Sequence, residues 1–330
     1  MSFTLIVCTY KRPVPIIKLL DSIVAQTLYP NEIIIVDSSP TNESQLAVTN
    51  RNYRNLKYFL VDENHRGLTR QRNFGIANAD AGTDYICFLD DDIITEPDYF
   101  EKLIATYDSH RDALGVGGYI VNETDWTFTG EPSGQVSKFS FDGWERDEPA
   151  RFRIRKKLGL DATMAPGFSP SFSHGRSIAF LPPSGKVYEA EQLMGGVSSF
   201  KASVFKEHRF STYFEGYGLY EDADFCIRVA KTGKLYVNTA ARVAHYHAAS
   251  GRPNQLEYGK MVVRNGWYVW RVKNKYPTVG DRLKWHSTTL LLAALRFGNS
   301  ISTSSRTESF TEAVGRIAGW FSLLFKKPRE

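Results

Sequence analysis

Three adjacent carboxylates, Asp90, Asp91 and Asp92, are the side chains of this chain whose types and spacing most clearly indicate chemistry. They follow directly on the apolar run Tyr85–Leu89, which is typical of a buried strand. Like charges this close repel one another and raise each other's pKa, and a bound cation removes that cost. Ligands made only of oxygen favour Mg²⁺ or Mn²⁺, which leave positions open for water and phosphate. The run therefore indicates a site for a cation and a nucleotide diphosphate, with a ligand-free acidic loop as the alternative.

A second acidic cluster, Tyr220–Phe225, opens a predicted helix. Acidic side chains in the first turn are favoured by the positive end of the helix dipole, so the cluster has a purely structural interpretation. The alternative is that one of its carboxylates is a general base that takes a proton from a hydroxyl group. His245 and His247, two residues apart after a short strand, add two imidazoles that could contact a metal. Both interpretations stay open on these residues alone.

The elements that must position these residues are four short apolar runs that alternate with helical patterns. The runs are Phe3–Cys8, Ile33–Val36, Tyr58–Val61 and Tyr85–Leu89. They predict an α/β fold with a mostly parallel sheet covered by helices on both faces. Ligands of such sheets bind beyond the carboxyl ends of the strands, where the sequence has Thr9–Arg12, Asp37 and Asp90–Asp92. The turn after the first run lacks the G-x-G-x-x-G pattern, which excludes a Rossmann dinucleotide site.

Charge and composition limit the classes of binding partner and the cellular compartment that we expect for this chain. The net charge of +5 is too modest for a general nucleic-acid binder, so we expect no nucleic-acid partner. No apolar run of about 18 residues occurs, so we expect no membrane-spanning helix. The first residues lack the features of a signal peptide, and the three cysteines show neither disulfide nor zinc spacing. These features predict a cytoplasmic protein.

The region 251–330 is predicted to be a C-terminal helical extension. Its segment Ile317–Phe325 is apolar and is followed at once by the basic tail Lys326–Arg329. A helix that lies on the inner face of an anionic membrane has this pattern. A helix that packs on the protein core and exposes a basic end has it too. Peripheral membrane contact and core packing therefore both stay open.

Taken together, the motifs resemble family 2 glycosyltransferases of the GT-A fold, of the inverting type that builds bacterial surface polysaccharides. The segments that carry the resemblance are Val7–Pro13, Ile34–Asp37, Asn64–Arg70 with Asn73 and Gly75, Phe88–Asp92, Glu221–Asp222 and Val243–His245. The resemblance implies a GT-A catalytic domain over residues 1–250. It divides this domain into a nucleotide-binding half, 1–118, and an acceptor-binding half, 119–250.

The resemblance also implies a role for each site residue. The nucleotide and donor site would be formed by Thr9, Tyr10, Arg12, Asp37, Arg70, Asn73, Asp90 and Asp91. The sugar and acceptor pocket would be formed by Gly195, Gly196 and Glu221. The ligands of Mn²⁺ or Mg²⁺ would be Asp92, Asp90 and His245, and the catalytic base would be Asp222.

The implied reaction is a hexosyl transfer from a nucleotide-diphosphate sugar, with UDP preferred, to a hydroxyl of a glycan or a lipid-linked oligosaccharide. The anomeric configuration would invert. No Q-x-x-R-W motif follows the second acidic cluster, which favours transfer of one or a few sugars over processive synthesis. A nucleotidyltransferase shares the sheet and the acidic site, although it usually has a glycine-rich basic loop after the first strand. A non-catalytic glycan-binding protein on the same fold is the other alternative.

Overall fold

The computed structural model describes residues 1–161, 163–214, 216–247, 254–302 and 306–328. Its strands are β1 (Phe3–Thr9), β2 (Glu32–Asp37), β3 (Leu56–Leu60), β4 (Tyr85–Asp90), β5 (Ile93–Thr95), β6 (Ala113–Ile120), β7 (Thr127–Phe128), β8 (Lys138–Phe141), β9 (Trp144–Asp147), β10 (Val187–Ala190), β11 (Val197–Lys201) and β12 (Lys234–His245). Its α-helices are α1 (Pro13–Val24), α2 (Glu43–Thr49), α3 (Leu68–Ala77), α4 (Tyr99–Ser109), α5 (Ala150–Lys157), α6 (Val204–Glu207), α7 (Glu221–Val229), α8 (Gln255–Lys273), α9 (Val279–Ser302) and α10 (Arg306–Phe325). The predicted boundary at residues 250 and 251 and the basic residue Arg329 lie outside the described residues.

The chain divides into two compact units. The first unit comprises Met1–Asp125 and Ile178–Gly251, and the second comprises Trp126–Ser177 and Arg252–Glu330. The segment 126–177, which we assigned to the acceptor-binding half, thus groups with the C-terminal helices. The division of a catalytic domain at residue 118 stays a prediction.

The first unit contains a nine-stranded sheet in the order β10-β12-β6-β11-β4-β1-β2-β3, with β5 paired to β12. Strands β1 to β4, β6 and β12 run in one direction, and β5, β10 and β11 run against them. The predicted mostly parallel sheet is therefore confirmed. The antiparallel β11 lies between β4 and β6, which the apolar runs of the first hundred residues did not indicate.

Both faces of the central strands are buried, as the continuous apolar runs predicted. On one face Leu5 and Val7 of β1 pack in a cluster with Ile16 and Leu19 of α1. On the other face Ile6 lies so close to α3 that a Cβ on Gly75 would be 2.6 Å from Ile6 Cγ2. Glycine at this position lets helix and strand approach, so α1 and α3 cover opposite faces of the same strand.

Strand register brings the polar residues together at one edge of the sheet. Thr9 of β1 pairs with Asp37 of β2, and Cys8 pairs with Asp90 of β4. Antiparallel β11 sets Val197 opposite Leu89, which puts the residues before Val197 beside the end of β4. The pairing of β12 with β5 brings His245, a residue much later in the chain, beside the residues that follow β4, because His245 lies opposite Ile93.

The second unit holds a three-stranded sheet in the order β7-β9-β8 and the helices α5, α8, α9 and α10. Its apolar centre is a cluster of Val263, Trp267, Trp270, Trp285 and Leu323. The predicted C-terminal helical extension is confirmed by α8, α9 and α10. Among the described residues, none of the helices combines the length and apolarity needed to cross a membrane.

Candidate active site

The middle carboxylate of the acidic run, Asp91, is buried and holds two residues of the loop after β1. Thr9 Oγ1 donates to Asp91 Oδ2 at 2.7 Å, and Arg12 Nη1 donates to Asp91 Oδ1 at 2.7 Å. Burial raises the pKa of Asp91 to about 6, although Arg12 and the Thr9 hydroxyl act to lower it. Asp91 therefore ties the end of β4 to the loop after β1.

The third carboxylate, Asp92, contacts His245 as the register of β5 and β12 requires. His245 Nε2 lies 3.1 Å from Asp92 Oδ1, and His245 Nδ1 lies 3.0 Å from Glu123 Oε1. His247 Nε2 lies 3.2 Å from the same Glu123 oxygen. Burial lowers the pKa of His245, but its bonds to Asp92 and Glu123 outweigh burial and raise the pKa to about 10. The imidazole of His245 therefore lies between two carboxylates and would have to lose a proton to bind a metal ion.

These side chains form the group in the described part of the chain that has the geometry of a metal site. Ligand atoms of Glu123, His245 and His247 all lie within 4.8 Å of one another. Asp92 lies on the other nitrogen of His245, so the described residues offer both oxygen and imidazole nitrogen to a cation. Such a mixed set suits Mn²⁺ better than Mg²⁺, which prefers oxygen ligands.

Asp222, predicted as the catalytic base, begins α7 and is only partly buried. Gly195 N donates to Asp222 Oδ2 at 3.2 Å, and Ala223 N donates to Asp222 Oδ1 at 2.7 Å. Burial raises the pKa of Asp222, and these two backbone donors act to lower it. The carboxylate is thus oriented by fixed backbone groups, with part of its surface open.

The buried cation Arg72 lies between two carboxyl groups. One is Asp90, the first carboxylate of the acidic run, and the other is Glu221, the residue before Asp222. Arg72 Nη1 is 2.5 Å from Glu221 Oε1, and Arg72 Nη2 is 3.6 Å from Asp90 Oδ1. The guanidinium also stacks 5.5 Å from the Phe88 ring and 5.2 Å from the Phe210 ring. One buried arginine therefore links the two acidic clusters that the sequence placed far apart.

Gly195 and Gly196 leave the space that these side chains occupy. A Cβ on Gly195 would lie 2.7 Å from both Arg72 Nη1 and Glu221 Oε1. A Cβ on Gly196 would lie 2.1 Å from Asp90 Cγ, a distance that no side chain tolerates. The two glycines thus contact the predicted donor and base residues.

Glu221 is buried, and its Oε2 accepts no hydrogen bond from the described residues. Burial raises its pKa to about 8; Arg72 acts to lower it, and Asp222 and Asp90 act to raise it further. An unpaired buried carboxyl oxygen beside a partly open aspartate is costly. Such a group fits a site whose polar contacts are completed by a ligand.

Asp37, predicted to accept a hydrogen bond from the nucleotide base, is fully buried and already carries three hydrogen bonds. Ser39 donates to Asp37 Oδ1 through its backbone N at 2.8 Å and its hydroxyl at 2.5 Å. Tyr58 Oη donates to Asp37 Oδ2 at 2.6 Å. Ser39 Oγ in turn accepts from Lys11 N at 2.7 Å. Asp37 therefore supports the loop after β1, and its contact with a base stays a prediction.

The remaining predicted donor residues lie along α3 and the loop after β1. Asn73 Nδ2 donates to Phe210 O at 2.8 Å, and Asn73 Oδ1 accepts from Phe210 N at 3.0 Å. Arg70 Nη1 donates to Asn64 O at 2.9 Å. Tyr10 is exposed, and its ring lies 5.7 Å from the Arg66 guanidinium. Tyr10 and Arg66 thus offer an exposed aromatic surface and a cation near the strand ends.

Three residues that the sequence motifs did not single out belong to this site. Arg72 links the acidic clusters, Glu123 contacts both histidines, and Gln71 donates to the backbone of Thr9 and Val36 at 3.0 and 2.8 Å. A signal existed for Arg72 and Gln71, because both lie among the buried positions of α3. A charged residue at an inward helical position needs a buried partner. Glu123 lies in a loop and gave no such signal.

Comparison with known proteins identifies the family. The profile of "Glycosyl transferase family 2" matches residues 4–173, which is just over half of the chain. A glucosyl-dolichyl phosphate glucuronosyltransferase of Haloferax volcanii is 34% identical over 132 residues, which make up 38% of this chain and 40% of that protein. The chain thus spans less than half the length of this curated relative.

Two solved structures share the fold. The mannosyltransferase PcManGT of Pyrobaculum calidifontis, solved with GDP-Man and Mn²⁺, has a TM-score of 0.56 at 15% identity. The superposition covers 99% of this chain and 88% of the PcManGT chain. TarS 1-349 of S. aureus has a TM-score of 0.54 at 17% identity, with 98% and 80% covered. The prediction of a GT-A fold is confirmed. The chain belongs to glycosyl transferase family 2.

Proposed function

We propose that this protein is an inverting, non-processive hexosyltransferase that moves a sugar from a nucleotide-diphosphate sugar to an acceptor hydroxyl. The observation that carries the proposal is Asp222, a partly open carboxylate oriented by two backbone donors next to the buried pair of Arg72 and Glu221. Its raised pKa suits a base that must accept a proton near neutral pH. Family membership favours transfer over both nucleotidyl transfer and glycan binding without catalysis.

The base and the donor site define the steps. Asp222 takes the proton of the acceptor hydroxyl, and the oxygen forms a bond to the anomeric carbon on the face opposite the nucleotide. The bond from that carbon to the diphosphate oxygen breaks at the same time, so the configuration inverts. The transition state carries positive charge on the sugar, by analogy with glycoside hydrolysis.

The residues around Asp92 fit the cation that the family implies. Asp92 and His245 would hold Mn²⁺ or Mg²⁺, with Asp90 as a further ligand, and Glu123 would orient His245. When bound there, the cation would neutralise the diphosphate as it leaves. Mn²⁺ is the ion in the PcManGT structure, and the imidazole favours it in this chain as well.

The donor and acceptor are proposed by chemical class. We propose that Tyr10 and Arg66 contact the nucleotide and that Asp91 holds Thr9 and Arg12 beside its diphosphate. We propose UDP as the carrier, and a glycan or lipid-linked oligosaccharide as the acceptor. The glucuronosyltransferase relative acts on a lipid-linked sugar by its name, which supports the second choice.

The test measures nucleotide release and glycoside formation with Mn²⁺, a panel of sugar nucleotides and a panel of acceptors. Asp222→Asn should lose turnover by roughly 10²- to 10⁴-fold, because the base is gone, and should still bind UDP in calorimetry. Asp108→Asn, on the exposed surface of α4, is the matched control and should keep full turnover.

Retained turnover in Asp222→Asn would contradict the base assignment. Pyrophosphate release from a nucleoside triphosphate and a sugar phosphate would instead show a nucleotidyltransferase. Binding of glycans with no release of nucleotide from any donor would show a non-catalytic protein. NMR of the product's anomeric proton decides between inversion and retention.

A further inference from the structure

Helix α10 in the second unit packs with its small and polar residues inward and its large apolar residues outward. The buried residues are Ser309, Glu312, Ala313, Gly315, Gly319 and Leu323. The exposed apolar residues are Phe310, Val314, Ile317, Phe321, Leu324 and Phe325. A surface helix of a globular protein normally turns its large apolar side chains toward the core and its polar side chains toward solvent, which is the opposite arrangement.

The inward side of α10 is fixed by close contact with α8 and α9. A Cβ on Gly315 would lie 2.2 Å from Leu256 O, and a Cβ on Gly259 would lie 2.2 Å from Glu312 O. The buried Glu312 accepts from Arg296 Nε at 2.7 Å and from Arg316 Nε at 2.9 Å. With backbones this close, α10 cannot rotate to bury its large side chains without losing these contacts.

Helix α9 extends the same apolar surface. After its first turn, the exposed large apolar residues of α9 recur at helical spacing and are Leu283, Leu290, Phe297 and Ile301. The Phe297 and Phe310 rings, both about half exposed, lie 5.7 Å apart, so the two stripes join. We call these four residues of α9 and the six exposed apolar residues of α10 together the outer face. Single exposed apolar residues are ordinary, but a contiguous face of ten is typical of a binding surface.

Exposed charge on α9, α10 and the residues after them is mainly positive, and two of the cations lie over aromatic rings, Lys284 over Phe172 and Lys327 over Trp267. The exposed charged residues of α9, α10 and residues 326–328, within the described part of the chain, are Arg282, Lys284, Arg306, Lys326 and Lys327, with Glu308 as the acidic one. Trp320 Nε1 of α10 donates to His286 Nδ1 of α9 at 3.0 Å, and Phe310 of α10 lies beside Phe297 of α9. The later residue of α10 thus contacts the earlier residue of α9, so the two helices run antiparallel. Arg282 and Lys284 therefore lie at the same end of the helix pair as Lys326 and Lys327.

We propose that the outer face docks on an anionic lipid bilayer, with α9 and α10 lying in the plane of its surface. The apolar side chains enter the boundary between headgroups and acyl chains, and the basic end contacts anionic headgroups. Among the described residues of α9, α10 and the residues after them, a second copy would offer these cations only Glu308 as an exposed acidic partner, whereas an anionic leaflet offers many negative groups. Docking would hold the enzyme where a lipid-linked acceptor is presented, and that consequence rests on the proposed function.

The experiment measures co-flotation of the full chain with two kinds of vesicle, phosphatidylcholine alone and phosphatidylcholine mixed with phosphatidylglycerol. The wild type should bind the anionic vesicles more tightly, with affinity that falls as salt rises. Phe321→Ser with Leu324→Ser should weaken binding by roughly tenfold or more, because two apolar side chains are lost from the contact. Lys326→Gln with Lys327→Gln should weaken binding by roughly fivefold per lysine on anionic vesicles only.

A matched control removes two apolar residues of similar exposure from the first unit. Val24 and Leu46 are 58% and 53% exposed, against 53% for Phe321 and 57% for Leu324. Val24→Ser with Leu46→Ser should bind vesicles like the wild type. Circular dichroism and the melting temperature check that each variant folds.

Absence of wild-type binding to either vesicle would overturn the proposal, and so would equal binding by the Phe321 and Leu324 variant. A wild-type dimer in analytical ultracentrifugation that this variant abolishes, without vesicle binding, would assign the face to a second copy instead. Flotation needs neither donor nor acceptor, so its failure is distinguishable from a failure of the proposed activity, which is measured on soluble acceptors.

Discussion

Arg72 is the residue on which the two acidic clusters depend. Its guanidinium lies within 3.6 Å of carboxylates from β4 and α7, and its own side chain is buried. Breaking a buried ion pair by removing one partner leaves an uncompensated charge in a low-dielectric site. Without Arg72 the pKa of Glu221 would rise further, because nothing would oppose burial and the charges of Asp222 and Asp90.

Replacing Arg72 with methionine should destabilise the fold by about 3–5 kcal/mol, the usual cost of such a broken pair. Urea unfolding measures this cost, and the double variant Arg72→Met with Glu221→Gln supplies the coupling between the two side chains. The double variant should lose less stability than the sum of the two single variants, because the Arg72–Glu221 pair can be lost only once. A double variant whose loss equals the sum of the single losses would show that the pair is not coupled.

Glu123 is expected to position His245 rather than to touch the donor. Carboxylates that hold a metal-binding imidazole commonly contribute roughly 10- to 100-fold to metal affinity. Glu123→Gln should therefore weaken Mn²⁺ binding in calorimetry by that factor. Glu189→Gln, on the exposed surface of β10, is the control. Unchanged Mn²⁺ affinity in Glu123→Gln would remove this residue from the metal site.

At the scale of elements, Glu32 ties three parallel strands at the end opposite the site. The buried carboxylate of β2 accepts from Thr4 of β1 at 2.9 Å, from Lys57 of β3 at 2.5 Å and from Asp80 N at 3.0 Å. Burial acts to raise the pKa of Glu32, but these donors outweigh it and hold the pKa below its usual 4.5. Ionised Glu32 therefore stabilises the folded state.

This stabilisation should be present above a pH of about 4.5 and should be lost as the pH falls through the folded-state pKa, because protonation then removes the charge. Glu32→Gln should cost roughly 1–3 kcal/mol at neutral pH and less in acid, as urea midpoints at both pH values would show. Glu63→Gln, whose side chain is 87% exposed, should cost nothing at either pH. A loss for Glu32→Gln that stays constant with pH would disprove the linkage.

The parallel half of the sheet could be predicted because the residues that define each of its strands are neighbours in the sequence. Short apolar runs, and the polar residues that follow them, placed Thr9, Asp37 and Asp90 at the strand ends, and β1 pairs with β2 and β4 in that way. The tertiary contacts of the site could not be predicted to the same extent. The contact of Asp92 with His245 follows from the register of β12 on β5, between residues far apart in the chain.

The outward apolar side of α10 was also beyond a reading of periodicity. The hydrophobic pattern shows that α10 is amphipathic, but it does not say which side faces the protein. Gly259 on α8 and Gly315 decide this, because close backbone packing puts the small side inward. Core packing occurs on one side of α10, and the membrane contact that we propose uses the opposite side.

For the whole molecule, ligand binding is expected to raise thermal stability through mass action. A ligand at a hundredfold excess over its Kd stabilises the folded state by about 2.7 kcal/mol, so UDP with Mn²⁺ should raise the melting temperature more than UDP alone. Asp92→Ala should lose the increment that depends on Mn²⁺, and Asp108→Asn should keep it. An increment that persists in Asp92→Ala would place the cation elsewhere.

The division into units has a consequence for the order of synthesis on the ribosome. β4 emerges early, but its neighbour β11 follows only after the segment 126–177 has been made. That segment in turn groups with helices α8 to α10, which follow the first unit in the chain, so it is synthesised before most of its own unit. Neither unit is a contiguous stretch that translation can finish before starting the other. Folding of the two units is therefore expected to be completed only after α10 has left the ribosome.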